Sequence, residues 1–411
     1  LRLAGEVSRD PSPREIDQTT PLTYPDALEW LFAQTRGGAP RSAGRMRGLM
    51  EKLELSSPPR VIHVVGTNGK GSVTATLAAA LEADGARVGR FLSPHVVDFR
   101  ERIAVNGAWI SEAEVLGFVR DLPRQGPAPA FFELTLALAL RHFARERVEV
   151  AVVEAGVGAR RDATRALQNV RAVVITNVGR DHLDTLGPTL RDVALDKADA
   201  IRPGVPTLTA TTGEALALVT EVAARRRSPL FFSTPRWDAP LSPLFRLPEG
   251  LPRSTPTVGR NRRLAAATLR LQGVGEAAIC QGLSAALPAR AERFRAGGRE
   301  VVLDGAHNPD AARALLEHLR LPFVLVFGAL PKKLGAETLA VLEPYAEHII
   351  LTNAALGAAS MLKGAGLEVV AEPEAALREA LARCAEGQQV VVAGSFYLAG
   401  RLRPQLQRVS R

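Results

Sequence analysis

Apolar residues recur along this chain in two alternating periods. Short β-branched runs at Val61–Val65, Val148–Val153 and Ala172–Thr176 each lead into a polar or glycine-rich stretch, and helix-forming segments follow. The same order returns near the end, with strand-like runs at about 300–304, 323–328, 347–352 and 389–393. Strands alternating with helices predict parallel sheets covered on both faces. Residues 23–35 show helical spacing at Leu28, Leu31 and Phe32, and a second short helix is expected over Met46–Leu53. Residues 87–92 read as a strand, and SPHVVDFRERIAV reads as a polar loop. Phe131–Arg145 is a strong amphipathic helix with Glu133 at its start, where a carboxylate complements the helix dipole. A helix carrying Asp196, Lys197 and Asp199 follows, and strands and helices alternate to about residue 232. Prolines at 229, 235, 240, 243, 248, 252 and 256 mark a long irregular connection. Two helices, about 261–272 and 275–286, then precede LPARAERF (287–294), which reads as a hinge. The expected organisation is a loose tail over 1–20, a first α/β domain over 21–286 and a smaller Rossmann-like α/β domain over 287–411.

The chemistry concentrates at strand ends. After Val65 comes Gly66-Thr67-Asn68-Gly69-Lys70-Gly71-Ser72, then an Ala/Leu-rich helix. Strand, glycine loop and helix make a phosphate cradle, because glycines let backbone N–H groups crowd an oxyanion and the helix start adds partial positive charge. Lys70 adds a mobile ammonium for the outer phosphates. The spacing departs from the usual P-loop: Val64 stands at the first glycine position, and the hydroxyl is displaced past Gly71 to Ser72. The alternative is a glycine-rich turn that binds nothing. Glu154 ends the Val148–Val153 strand, where a nucleotide-bound Mg²⁺ is commonly held; a solvated strand-end carboxylate is the plainer reading. Asp181 and His182 lie past the next strand end. Ser93, His95, Asp98, Arg100, Glu101 and Arg102 crowd one short stretch, which is either a site or a solvated connector. Asp304-Gly305-Ala306-His307-Asn308-Pro309 closes a later strand, with Pro309 opening a helix; a capped βα turn would look the same.

Composition narrows this picture. The chain has 411 residues, 46% hydrophobic and 23% charged, which suits a folded protein of two or three domains. Two cysteines make no disulfide framework. No apolar run approaches a membrane span, and the start lacks a signal-peptide core, so a cytoplasmic location is expected. The net charge of +9 comes with scattered arginines and only 5% aromatics, so small anionic substrates explain it better than nucleic acid.

Taken together, HVVGTNGKGSV, FLSPHVVDFRERIAVNG, FFELTLALALRHF, VVEAGVGARRDAT, ITNVGRDHLDTLG, DKADAI, LPARAE, LDGAHNP and VVAGSFY resemble, in order, the folylpolyglutamate synthase/dihydrofolate synthase family of Mur-ligase-like ATP-dependent amide ligases. The resemblance spans nearly all of residues 22–400. It implies that Thr67, Asn68, Gly69, Lys70, Gly71 and Ser72 hold ATP phosphates, with Asn261 near the base. Arg290, Asp304 and His307 would contact ATP from the second domain. Ser93 and Glu154 would hold one Mg²⁺ and His182 a second, with a monovalent cation such as K⁺ as a further expected ion. Lys197 would be carbamylated. Lys70, Lys197 and His307 are the implied catalytic groups, and Phe132, Arg161, Asp162 and Ala163 the implied substrate contacts. The partners would be ATP, L-glutamate and dihydropteroate or reduced folates, acting on a monomer. The chain departs from the family at Ala130, Ala159, Arg161, Arg165, Ala289 and Lys332–Leu334. Arg161 and Arg165 add two charges that could pair with the carboxylates of a glutamate tail, or stand as solvated bystanders. A ligase acting on a nucleotide-sugar acid, or a P-loop NTPase without ligation, are the alternatives.

Overall fold

The computed structural model describes residues 23–34, 42–122, 129–233, 242–330, 334–354 and 367–410. The expected 1–20 tail and Lys332–Lys333 fall outside these. Two α/β units follow one another, each a mostly parallel sheet between helical layers.

In the first unit, helices α1 (Tyr24–Ala33) and α2 (Ala43–Lys52) precede β1 (Arg60–Val65) and α3 (Lys70–Ala83). Then come β2 (Val88–Phe91), β3 (Ile103–Val105), β4 (Ala108–Trp109), α4 (Glu112–Asp121) and α5 (Phe131–Arg145). Strand β5 (Val150–Glu154), β6 (Val170–Ile175), the short α6 (Leu183–Leu186), α7 (Leu190–Ala198), β7 (Thr207–Thr209), α8 (Gly213–Arg225) and β8 (Leu230–Phe232) complete the sheet. Helices α9 (Pro256–Leu271) and α10 (Glu276–Gly282) close this part. The strand order is β4-β3-β2-β5-β1-β6-β7-β8, parallel from β2 onward. Strand alternation divides the core. Val61 and Val65 face α1, α2 and α5, whereas Ile62 and Val64 face α3, α9 and α10. Because β1 lies between β5 and β6, five of its six residues are buried, so the run reads as continuous β-branched sequence.

Helix ends follow their caps. Thr23, Ser42, Ser111, Thr189 and Thr255 each accept an N–H from the first turn that follows. Ala130 has no such oxygen, but Glu133 reaches back to its N–H at 2.9 Å and is held by Arg45.

The second unit has β9 (Glu292–Ala296), β10 (Arg299–Leu303), α11 (Pro309–Leu316), β11 (Phe323–Phe327), α12 (Gly335–Leu342) and β12 (Ala346–Leu351). Then follow β13 (Glu368–Val369), α13 (Pro373–Arg383), β14 (Gln389–Ala393) and α14 (Phe396–Val409). The order is β13-β12-β11-β14-β10-β9, with only β9 antiparallel to its neighbour.

Two sequence expectations change here. The polar stretch after Ser93 is not wholly a loop: Ile103–Val105 pairs antiparallel with β2 and turns back through Asn106 and Gly107, both at positive φ, into β4. The segment read as a hinge runs into β9, which pairs with β10 through a Gly297-Gly298 turn, again at positive φ. Both turns allow the twist that tight hairpins demand.

Candidate active site

The carboxyl ends of β1, β5 and β6 lie side by side and open into one crevice. The loop after β1 is its floor. Gly69 caps α3 in a left-handed conformation (φ 81°), and no side chain bonds the first turn. A Cβ at Gly69 would fall 2.8 Å from the Asn261 amide, so Asn261 of α9 packs directly on the loop. The loop is pinned to the end of β6: Asn68 N–H donates to Asn177 Oδ1 at 2.8 Å, and Thr67 Oγ1 exchanges hydrogen bonds with Gly179. The start of α3 thus offers uncapped N–H groups on a fixed loop, the arrangement that holds an oxyanion.

Charged groups surround that helix start. Lys70 Nζ donates to Thr67 O at 3.2 Å and stands 3.8 Å from Glu154 Oε1. Glu154 is 2% exposed and accepts the Ser93 N–H at 3.1 Å, so the backbone of Ser93 rather than its hydroxyl makes this contact. Burial pushes the Glu154 carboxyl up, while Lys70, Ser93, Arg290 and Arg102 oppose it. Lys197 is buried under the loop with Nζ on Gly66 O at 3.0 Å. Burial, then the Lys70 charge, drive its ammonium down to about 7, against Asp196, Asp181 and Asp162.

The second unit reaches the same place. A Cβ at Gly71 would lie 3.5 Å from Glu154 Oε2, 3.6 Å from Arg290 Nη2 and 3.4 Å from Leu287. The Arg290 guanidinium rests 4.4 Å over the Phe396 ring. Asp304 accepts the Ala291 and Ala306 N–H groups, each at 2.7 Å, and fixes the backbone beside Arg290. A cleft of about 220 Å³ runs from Gly71, Ser93 and Glu154 past Arg290 and Phe396 to Arg90 and Trp109.

An amide pair links the units at the site, and farther off Thr257 of α9 donates its N–H and its Oγ1–H to Glu317, each at 2.9 Å. Asn68 Nδ2 donates to Asn308 Oδ1 at 3.1 Å, and Asn308 Nδ2 donates back at 3.0 Å and to Asp181 Oδ2 at 3.1 Å. Asn308 is fully buried and also caps α11 through Ala311 N–H. His307 donates Nδ1–H to Gly305 O at 2.9 Å, which leaves Nε2 3.5 Å from Asp181. Backbone meets backbone elsewhere on this seam: a Cβ at Gly400 of α14 would lie 1.9 Å from Val96 O. Asn308→Ala is expected to lose the cap and all three cross-unit bonds, costing about 2 kcal/mol or more. Thermal melting should show a clear drop; an unchanged midpoint would mean the seam is not formed in solution.

Behind the loop, Asp162 is held from both sides, by Val157 N–H at 3.0 Å and by Thr164 Oγ1–H at 2.6 Å. Thr164 in turn accepts from the buried His63 Nε2 at 2.8 Å. Phe132 lies against Gly156 and edge-on to Phe91. Ser72 is half-buried on the first turn of α3, and Ala163 is packed in the core. His182 leaves 31% of its side chain exposed, its ring 3.9 Å from Asp181. Arg161 is exposed, and Arg165 is half-buried, its carbonyl accepting from Arg202 Nη2–H at 3.2 Å. Asn308, Asn177 and Phe396 were not picked out from the sequence as site residues. Among the described residues no three His, Cys, Asp or Glu side chains converge on a metal cage. A single buried carboxylate suits Mg²⁺, which completes its shell from phosphate and water.

Comparison with known proteins fits this geometry. The Mur ligase middle domain family matches residues 64–202, and the Mur ligase glutamate ligase domain family matches 289–396. The dihydrofolate synthase/folylpolyglutamate synthase of Bacillus subtilis is 30% identical over 93% of this chain and 99% of its own length. The folylpolyglutamate synthase of Lacticaseibacillus casei is 32% identical over 94% and 99%. A crystal structure of the bifunctional Yersinia pestis enzyme complexed with AMPPNP and Mn ion superposes with a TM-score of 0.82 at 27% identity, covering 94% of this chain and 98% of that one. The chain is therefore a Mur-type ATP-dependent ligase that forms amide bonds. Within that class it belongs to the folylpolyglutamate synthase/dihydrofolate synthase family, and its reaction is ATP-dependent addition of glutamate to folate or dihydropteroate substrates. Among the described residues no helix is long and apolar enough to cross a membrane.

Proposed function

We propose that the crevice beside α3 performs both halves of this ligation, with 21–286 carrying the phosphate site as a P-loop-type domain and 287–411 closing it as a Rossmann-like domain. The observation that supports it most is the convergence of Lys70, Glu154 and Arg290 on the uncapped start of α3. Thr67 to Ser72 hold the ATP phosphates, Asn261 lies toward the base, and Asp304 keeps Arg290 in place. Glu154, the Ser93 hydroxyl and His182 would hold Mg²⁺ in two sites, which would offset phosphate charge.

A carboxylate oxygen of dihydropteroate or a reduced folate attacks the γ-phosphorus of ATP and ADP departs, giving an acyl phosphate. Carboxylate is a poor electrophile; phosphate supplies its leaving group. The glutamate nitrogen then attacks the acyl carbon, phosphate leaves and the nitrogen loses a proton. Lys70 and Arg290 neutralise charge that builds on the transferred phosphoryl group. His307, its Nδ1–H pinned on Gly305, presents Nε2 toward the incoming glutamate. The acid is positioned by Phe132, Asp162 and Ala163, with Arg161 at the open side. Uncharged Lys197 amine adds CO₂ and releases a proton, giving an anionic carbamate under the loop. The closed seam keeps water from the acyl phosphate.

The test is ADP and phosphate release with dihydropteroate or tetrahydrofolate, each with and without L-glutamate. Turnover that needs both acid and glutamate supports the reading. Release indifferent to glutamate would refute it. Glu154→Gln is expected to raise the Mg²⁺ concentration for half-maximal rate about tenfold or more, since it removes the negative charge and leaves one neutral amide oxygen for the ion. An unchanged Mg²⁺ titration would remove Glu154 from the metal site.

A further inference from the structure

Helix α11 touches the first unit at both of its ends. At its start, Asn308 is bonded to Asn68 of the β1–α3 loop and to Asp181. In its first turn, the Asp310 carboxylate fills the place that a Cβ would take at Gly179, whose N–H and C=O hold the Thr67 hydroxyl. Eight residues then carry the helix about 12 Å along the first unit. At its far end Glu317 meets the start of α9. Thr257 N–H donates to Glu317 Oε2 and Thr257 Oγ1–H to Oε1, each at 2.9 Å. His318 Nε2 lies 3.4 Å from Thr255 Oγ1, and Arg293 Nη2–H donates to the His318 carbonyl at 2.7 Å, which ties this turn to β9.

The far contact completes a helix cap. The first turn of α9 follows Thr255 and runs Pro256, Thr257, Val258. Pro256 has no N–H, and the Val258 N–H is taken by Thr255 Oγ1 at 3.4 Å. The Thr257 N–H is left for Glu317. A helix start is complemented by a carboxylate in its own first turn, and α9 has none there. Glu317 supplies that charge from the other unit. Thr257 and Asn261 are four residues apart, so they share one face of α9 a single turn apart. Asn261 is the residue packed on Gly69 of the β1–α3 loop. The loop is therefore gripped twice from the second unit, directly at Asn68 through Asn308, and at Gly69 through α9 and Glu317.

We propose that Glu317 is a positioning residue for ATP: by completing the α9 cap across the unit boundary it keeps Asn261 seated on the loop that takes the phosphates. Glu317 acts through α9 and not by meeting the nucleotide. The cap exists only while the units are together, so whatever it adds to ATP affinity ATP returns to the contact. The assignment rests on the reading of Thr67–Ser72 and Asn261 as the ATP site.

The experiment compares the wild type with Glu317→Ala, Thr257→Val and the double variant, by steady-state kinetics and by calorimetric titration with AMPPNP. For Glu317→Ala the expected result is a KM for ATP and a Kd for AMPPNP each raised roughly fivefold, with kcat and the KM values for L-glutamate and the acid unchanged. Glu317→Gln keeps an oxygen to accept the Thr257 N–H and should recover most of the loss. Thr257→Val removes one of the two bonds and should raise the same two constants less. The double variant should be no worse than Glu317→Ala, because both changes act on one contact. Glu317 is exposed, so its removal leaves the core intact, and added AMPPNP should raise the melting midpoint of Glu317→Ala less than that of the wild type. An unchanged Kd, a rise shared equally by all three substrates, or additive effects in the double variant overturns the assignment. A wild type that binds no AMPPNP would refute the ATP-site reading and the role of Glu317 with it. A wild type that binds AMPPNP no more tightly than Glu317→Ala would refute the role of Glu317 alone.

Discussion

Lys70→Ala should abolish ligation while leaving a folded protein. The ammonium donates to Thr67 O and faces Glu154. Its role is to meet charge that grows on the transferred phosphoryl group. Removing one such donor costs on the order of 3 kcal/mol, a hundredfold or more in kcat. The seam rests on Asn68, Asn308 and Asp181, so the melting midpoint should move little. Phosphate-release assays beside thermal melts check both parts. Near-normal turnover would displace the phosphate site from this loop.

Lys197 carries the second large expectation, and it has a thermodynamic signature besides activity. Its folded-state pKa is about 7, depressed chiefly by burial and then by Lys70. An unfolded lysine keeps its proton to about pH 10.4. Between those values the unfolded chain binds more protons, so this group makes stability rise with pH from about 7 to about 10.5. Below pH 7 both states are protonated and the penalty is constant, on the order of 4 kcal/mol. Lys197→Met should therefore be more stable than the wild type near pH 6.5, and should flatten the stability–pH curve above 7. It should lose ligation by a hundredfold or more. Urea melts across this range in CO₂-depleted buffer, where Lys197 stands as the free amine, with turnover at neutral pH in the presence of bicarbonate, make the comparison. A wild-type curve no steeper than that of the variant would show that Lys197 is not buried as a free amine; a stabilised variant that keeps full turnover would strip it of its role. The smaller Lys197→Ala leaves room for a carboxylate, and partial rescue by acetate would mark the carbamate.

Much of this was legible from local pattern. The β-branched runs located β1, β5, β6, β10, β11 and β14, because buried parallel strands carry apolar residues on both faces. Strands at or next to a sheet edge were harder. β3 is three residues long and β9 alternates polar with apolar, so neither stands out by hydrophobicity. Their turns, Asn106-Gly107 and Gly297-Gly298, were the available signal, since such pairs supply the positive φ of a tight hairpin. At the site, Lys70 and Glu154 could be read because one opens the helix after a glycine loop and the other ends a strand. Asn308 reads locally as a helix cap and nothing more. Its partner Asn68 is 240 residues away, and no spacing rule spans that distance. Arg165 and Arg161 stand together in the sequence as two departures from the family pattern within one loop, yet Arg161 is exposed and Arg165, on the short helical turn after Asp162, is half-buried.

Gly400 bears on how readily the two units can part. Val96 O sits where any side chain at 400 would begin, so the units touch there through rigid main chain. Side-chain contacts at this seam include the short amides of Asn68 and Asn308 with Asp181, and Thr257 against Glu317. Long side chains frozen at an interface lose rotamer entropy of about 0.5–1.5 kcal/mol each. Main chain and short amides lose far less, so juxtaposition here demands little ordering. A catalyst that must part and rejoin its units to release ADP and a lengthened product gains from that economy: the same geometry is recovered each cycle with few side chains to reset.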